Sequence, residues 1–254
     1  MNNLRSNKSD GFFVALQFLT RFNAGRCENL WSEENCGNSV KFFPLVGAIL
    51  GAAYFTAAVW LEFCGVFSAA VIAALILLLS LFLTGGIFYD GFMDSADGIF
   101  SGRDREKILT IMKDSRVGAN AVMAFTLLML VEWAALFTLP RDFLPLAVFA
   151  LPVIGRFAAV LAIVLFPYAR PAGLGKAFHE FAALWQTLLT ASATTFLFIL
   201  PLGEKALAAL AVGVIAALLF CRHAAKVLGG LTGDIYGAAA NLAQCAALLC
   251  LASI

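Results

Sequence analysis

Asp90, Asp94 and Asp97 stand at i, i+4 and i+7 in the run Thr84-Gly85-Gly86-Ile87-Phe88-Tyr89-Asp90-Gly91-Phe92-Met93-Asp94-Ser95-Ala96-Asp97-Gly98. On a helix those positions project from one face, about 5–6 Å from neighbour to neighbour, and like charges so placed repel. The repulsion grows beside a membrane, where ionised groups are poorly solvated. A hard cation held by carboxylate oxygens removes it, so Asp90, Asp94 and Asp97 predict a Mg²⁺ site, with Asp94 and Asp97 also as catalytic groups. A solvated helix face explains one or two such acids, but explains poorly three with no basic residue among them. Glycines 85, 86, 91 and 98 permit close approach by a ligand or a neighbouring backbone.

Three further segments carry groups suited to phosphate chemistry. In Met112-Lys113-Asp114-Ser115-Arg116-Val117-Gly118, Asp114 is a candidate catalytic group that could also complete the metal shell, and Lys113 and Arg116 are candidates to hold phosphate oxygens. A basic anchor at a membrane edge reads the same way. Gly229 to Gly237 contains Gly233 and Asp234 and suits a loop whose amides meet a phosphate. Pro167 to Gly175 is a stiff loop with Arg170 as its one basic residue. Each of these two is also an ordinary turn by composition.

The elements that must position these groups are membrane helices. The chain has 254 residues, of which 62% are hydrophobic and 13% charged, against about half and a quarter in soluble domains. Continuous apolar runs of about 20 residues predict an all-α polytopic bundle and not a β-barrel. Seven spans are expected, near 42–63, 66–84, 118–139, 144–166, 183–202, 206–221 and 236–254, in one integral-membrane domain over 1–254. Phe12 to Phe22 adds a short amphipathic or re-entrant N-terminal helix, with no small-residue cleavage site after it. A net charge of +1 gives no case for nucleic acid. The six cysteines form no C-x-x-C pair, so we read them as thiols between helices and not as zinc ligands.

Of the 17 basic residues, only Arg141 and Lys205 fall in one set of loops, and Arg156 lies inside a span. The rest, including Arg5, Lys8 and Arg26, share the N-terminal side, which the positive-inside rule places in the cytoplasm. The site loops 85–117, 167–182 and 222–235 are all expected on that side. Glu132 and Arg156, about 21 and 15 Å from their cytoplasmic span ends at 1.5 Å per residue, could pair with each other or touch substrate.

Taken in order, these motifs resemble the cobalamin synthase family, the adenosylcobinamide-GDP ribazoletransferases. Phe18-Leu19-Thr20-Arg21 and Phe43-Pro44-Leu45-Val46-Gly47 are similar to its N-terminal motifs, 84–100 to its acidic signature, Ile108 to Gly118 to the following helix, and 167–175 and 230–237 to its later loops. Two positions depart: Phe88 stands where the family often has His, and Asn241 where it often has Glu. The resemblance implies that α-ribazole or its 5′-phosphate attacks the phosphate linking adenosylcobinamide to GMP, releasing GMP. It also implies Mg²⁺ on the aspartates, Lys113, Arg116 and Arg170 on phosphates, the lipid bilayer as surroundings, and other cobalamin-assembly enzymes as partners. The D-x-x-D-G of 94–98 is also similar to CDP-alcohol phosphotransferases, though the rest of their motif is absent. A divalent-cation transporter is a third reading, disfavoured by acids clustered at one edge.

Overall fold

The computed structural model describes residues 10–22 and 30–253; Arg5, Lys8, Arg26 and Cys27 lie outside them. Its helices are α1 (Asp10–Leu19), α2 (Glu33–Ser39), α3 (Phe43–Cys64), α4 (Ala69–Thr84), α5 (Ile87–Phe100), α6 (Arg105–Ile111), α7 (Ala119–Thr138), α8 (Leu144–Leu165), α9 (Leu174–Phe181), α10 (Leu184–Ile199), α11 (Glu204–Leu228) and α12 (Gly233–Ser253). No strand occurs among the described residues, as the continuous apolar runs require.

The bundle is built around α8, which is apolar on every side and buried from Leu144 to Ile163 with few interruptions. A helix of that kind belongs in a core, and α3, α10, α11 and α12 pack around it. Gly47 and Gly51 of α3 sit directly on the α8 backbone: a Cβ on either would come within 2.6 Å of the Pro152 or Phe149 carbonyl oxygen respectively. Small residues four apart allow membrane helices to approach this closely.

Among the described residues, six helices are long and apolar enough to cross a membrane, including α2–α3 as one continuous run from Glu33 to Cys64. The expected second span is α4, which α5 leaves at a 94° bend. From that bend α5 packs against α7 and α12, with Tyr89 reaching Glu132 within α7 and Asp97 reaching the N-terminal end of α7. With only ten residues, α1 reaches about 15 Å at 1.5 Å per residue and packs on α2 and α3 instead of crossing.

The sixth span departs from expectation. α11 does not stop near 221 but continues to Leu228, so the expected 222–235 loop shrinks to the four residues before α12. Cys221, Ala224 and Leu228 are buried while Arg222, His223 and Lys226 are exposed. Charged residues on the outer face of an amphipathic helix look like a loop in a hydropathy reading. The loops 85–117 and 167–182 likewise contain α5, α6 and α9.

Candidate active site

Two consecutive glycines make the bend that carries the acidic helix. Gly85 and Gly86 have φ of 65° and 73°, a left-handed region that residues with a Cβ seldom adopt. Gly91 then lets α5 cross the start of α12: a Cβ there would lie 2.7 Å from the Asp234 carbonyl oxygen. The glycines of the signature thus serve backbone approach.

The acidic stripe divides by surroundings. Asp90 is exposed, Asp94 half-buried and Asp97 buried. Asp97 accepts the backbone N–H of Gly118 at 2.6 Å and of Ala121 at 2.8 Å. Gly118 is the N-cap of α7 and has no side chain to cap it, so Asp97 does so from another helix, at the positive end of the α7 dipole. Asp94 keeps the company of charge: burial first, then the carboxylates of Asp234 and Asp90, push its carboxyl up to about 7, and Arg170 opposes the shift.

Opposite the stripe, two loops distant in sequence are zipped together. The Ala169 amide donates to the Leu231 carbonyl and the Leu231 amide to the Pro167 carbonyl, each at 2.7 Å, forming a parallel bridge. Arg105, at the start of α6, clamps both loops: its Nε donates to the Leu228 carbonyl at 2.6 Å and an Nη to the Ala169 carbonyl at 3.1 Å. The zipper brings Arg170 onto Asp234, with Nη2 to Oδ2 at 2.8 Å. Thr232 Oγ1 donates to the same oxygen at 3.3 Å.

These elements enclose a cleft of about 350 Å³, a common size for a small-molecule site. The structure brings Asp90, Lys113, Arg170, Gly233 and Asp234 to its walls, whereas Asp94 and Asp97 of the same stripe are not among the lining residues. Asp114 and Arg116 are not among the lining residues. They pair with each other in an exposed loop at 2.7 Å, and the Arg116 guanidinium holds the Asp114 carboxyl down at about 2. The cleft also has aromatic walls, from Phe18, Phe43, Phe88, Tyr168, Phe178 and Tyr236. Sequence reasoning quoted five of these inside motifs but gave them no role, because an aromatic ring carries no spacing signal that separates core from site. Arg105 was equally hidden, since its partners are carbonyl oxygens far along the chain.

The two charges inside spans do not pair with each other. The Arg156 guanidinium lies over the Phe88 ring, 4.9 Å from its centroid, and its Nη1 reaches Gln244 Oε1 at 3.4 Å. Glu132 accepts the hydroxyl of Tyr89 at 3.2 Å. Each therefore grips one of two adjacent residues at the start of α5. Asn241, the second departure from the family pattern, is buried, with an Nδ2 that has no partner among the described residues.

No three carboxylate, thiol or imidazole groups among the described residues converge to hold a metal by themselves. Mg²⁺ needs no such closed shell: it takes one or two carboxylates, keeps several waters and binds substrate phosphates. Asp90 and Asp94, one turn apart in a neighbourhood rich in negative charge, fit that partial shell.

The cobalamin-5-phosphate synthase family model matches residues 11–252. An adenosylcobinamide-GDP ribazoletransferase of Desulfitobacterium hafniense is 38% identical over 242 residues, covering 93% of this chain and 94% of that protein. One of Klebsiella pneumoniae is 37% identical over 244 residues, covering 94% and 98%, and one of Fusobacterium nucleatum is 34% identical over 262 residues, covering 90% and 91%. No solved structure matches the chain. The chain belongs to the cobalamin-5-phosphate synthase family.

Proposed function

We propose that this protein joins adenosylcobinamide-GDP to α-ribazole or its 5′-phosphate, releasing GMP, within the membrane and with its cleft open to the cytoplasm. The observation that carries the chemistry is the Arg170–Asp234 pair on the wall of a cleft that Asp90 and Lys113 also line, with Asp94 one turn beyond Asp90 on α5. Phosphoryl transfer needs positioning and charge neutralisation more than covalent help. Arg170 offers planar donors and Lys113 a mobile cation for phosphate oxygens. Asp234 fixes the Arg170 guanidinium in orientation. A ribose hydroxyl of the acceptor attacks the phosphate of the corrinoid side chain; the new P–O bond forms as the bond to GMP breaks. Asp94 receives the hydroxyl proton on a carboxylate oxygen, as a positioned general base does.

Asp90 and Asp94 are the residues we assign to Mg²⁺, which would supply charge neutralisation at the phosphates when bound. Asp97 is assigned to capping α7, and Asp114 and Arg116 to the loop that presents Lys113. The concentration of basic residues on the site's side of the bundle supports a cytoplasmic opening. Cys64, exposed at the opposite end of α3, should then react with an impermeant maleimide added outside intact spheroplasts.

Membranes carrying the chain should convert adenosylcobinamide-GDP and α-ribazole 5′-phosphate to a cobamide with release of GMP. No GMP above that from empty-vector membranes would sink the reading. Release of CMP from a CDP-alcohol instead would make the protein a phosphotransferase of that other kind.

A further inference from the structure

The cleft is lined by two chemically different sets of groups, and phosphate transfer uses only one. Besides Asp90, Lys113, Arg170 and Asp234, three rings from three helices that meet edge to face line it: Phe18 and Phe178 centroids are 4.8 Å apart at 60°, and Phe43 and Phe178 are 5.8 Å apart at 82°. Ile163 and Ala159 of α8 complete this wall. α9 is pinned there on both sides of its axis. Phe178 is buried, and His179 Nδ1 lies 2.7 Å from the Ile163 carbonyl oxygen.

The same cleft holds polar groups with nothing to bond among the described residues, Arg170 Nε and the Tyr236 hydroxyl. Tyr236 lines it, is 4% exposed, and has a hydroxyl without a hydrogen-bond partner among the described residues. A buried hydroxyl left so is costly, and a ligand acceptor would satisfy it.

Resting on the ribazole-transfer reading, we propose that the aromatic lining of this cleft seats the flat, uncharged base of the acceptor nucleoside, with the Tyr236 hydroxyl donating to its free ring nitrogen. Three fragments of the two substrates compete for the place, and size and polarity choose between them. The corrin macrocycle of the donor is far larger than a cleft of about 350 Å³. Guanine carries amide and amine groups around its edge, which a hydrocarbon wall leaves unpaired at a cost. A benzimidazole has hydrocarbon surface and one ring nitrogen to satisfy, and aromatic edges and faces take such a ring well. With the base on these rings, the ribose is left to the charged groups of the same cleft, where the phosphate is attacked and Arg170 and Lys113 wait.

The test is substrate-specific kinetics on the full-length protein in detergent, with Phe18→Leu and Tyr236→Phe and with Leu174→Trp as an independent narrowing of the cleft at an exposed position. Phe18→Leu should raise KM for α-ribazole 5′-phosphate about tenfold, the scale of a lost aromatic contact, and leave KM for adenosylcobinamide-GDP within about twofold. Tyr236→Phe should shift the same KM in the same direction, and lose that effect for an acceptor whose base has carbon in place of the free ring nitrogen. The opposite split, with the corrinoid KM raised and the ribazole KM unchanged, overturns the proposal. If Phe18→Leu does not fold, the same comparison on Leu174→Trp decides. If the wild-type protein shows no turnover, the ribazole-transfer reading has failed, and equilibrium dialysis of α-ribazole 5′-phosphate decides this one: binding weakened about tenfold in Phe18→Leu or Leu174→Trp supports it, and no binding to wild type ends it.

Discussion

The Arg170 guanidinium meets the Asp234 carboxylate at 2.8 Å, although three helices separate the two residues along the chain. The contact exists because the 167–169 and 229–231 segments are zipped by backbone hydrogen bonds and clamped by Arg105. Arg170→Ala should therefore lower kcat/KM for GMP release about 100-fold, or about 2.7 kcal/mol of transition-state stabilisation. Arg170→Lys should recover only part of it, because an ammonium cannot replace a planar fork. Steady-state GMP release, with melting of each variant in detergent as control, checks both.

Asp94→Asn should abolish turnover, by about 1000-fold or more if it removes a general base together with a metal contact. It should also change how stability depends on pH. The folded-state carboxyl titrates near 7, above its unfolded value of about 3.9. Its stabilising contribution is thus fully present below the lower value and is lost as pH rises through the higher one. Melting temperatures of EDTA-treated protein should fall between pH 5 and pH 8, and Asp94→Asn should flatten that slope.

EDTA should stop turnover, and added Mg²⁺ should restore it and raise the melting temperature of the wild type at pH 8. Ca²⁺, which prefers more ligands and longer distances than Asp90 and Asp94 with substrate phosphates supply, should restore less. Activity unchanged by EDTA would remove the metal from the reaction.

Asp97→Ala should destabilise by about 1–2 kcal/mol, the cost of a lost helix cap, because two α7 amides lose their acceptor. The melting shift in detergent should be the same with and without Mg²⁺. A shift seen only when Mg²⁺ is present would instead put Asp97 on the metal.

Phe88→Ala should lower the melting temperature more than Glu132→Gln. The first strips Arg156 of the ring beneath its buried guanidinium, and an unpaired buried charge is strongly destabilising. The second leaves an amide oxygen that still accepts from Tyr89. The same pair of melting curves would reject this account if Glu132→Gln proved the more damaging.

Much of the scaffold was legible along the chain. Apolar runs and their lengths located α3, α4, α7, α8, α10 and α12 closely, because hydropathy over about 20 residues and a period of 3.6 are local properties. The stripe of Asp90, Asp94 and Asp97 was legible for the same reason, as were the loops holding Lys113, Arg170 and Asp234. The extent of α11 was not, because Arg222, His223 and Lys226 on its outer face have the composition of a loop. Only tertiary structure decided what each acid meets. Asp97 turned to the amides of α7, Asp114 to Arg116 in solvent, and Asp94 to the charges of Asp90 and Asp234. It also made one surface of Phe18, Phe43 and Phe178, which lie on three helices. Spacing within a helix tells which side chains share a face, whereas the partner of that face depends on where helices distant in sequence cross, and here that was set by the Gly85–Gly86 bend and the close approach at Gly91.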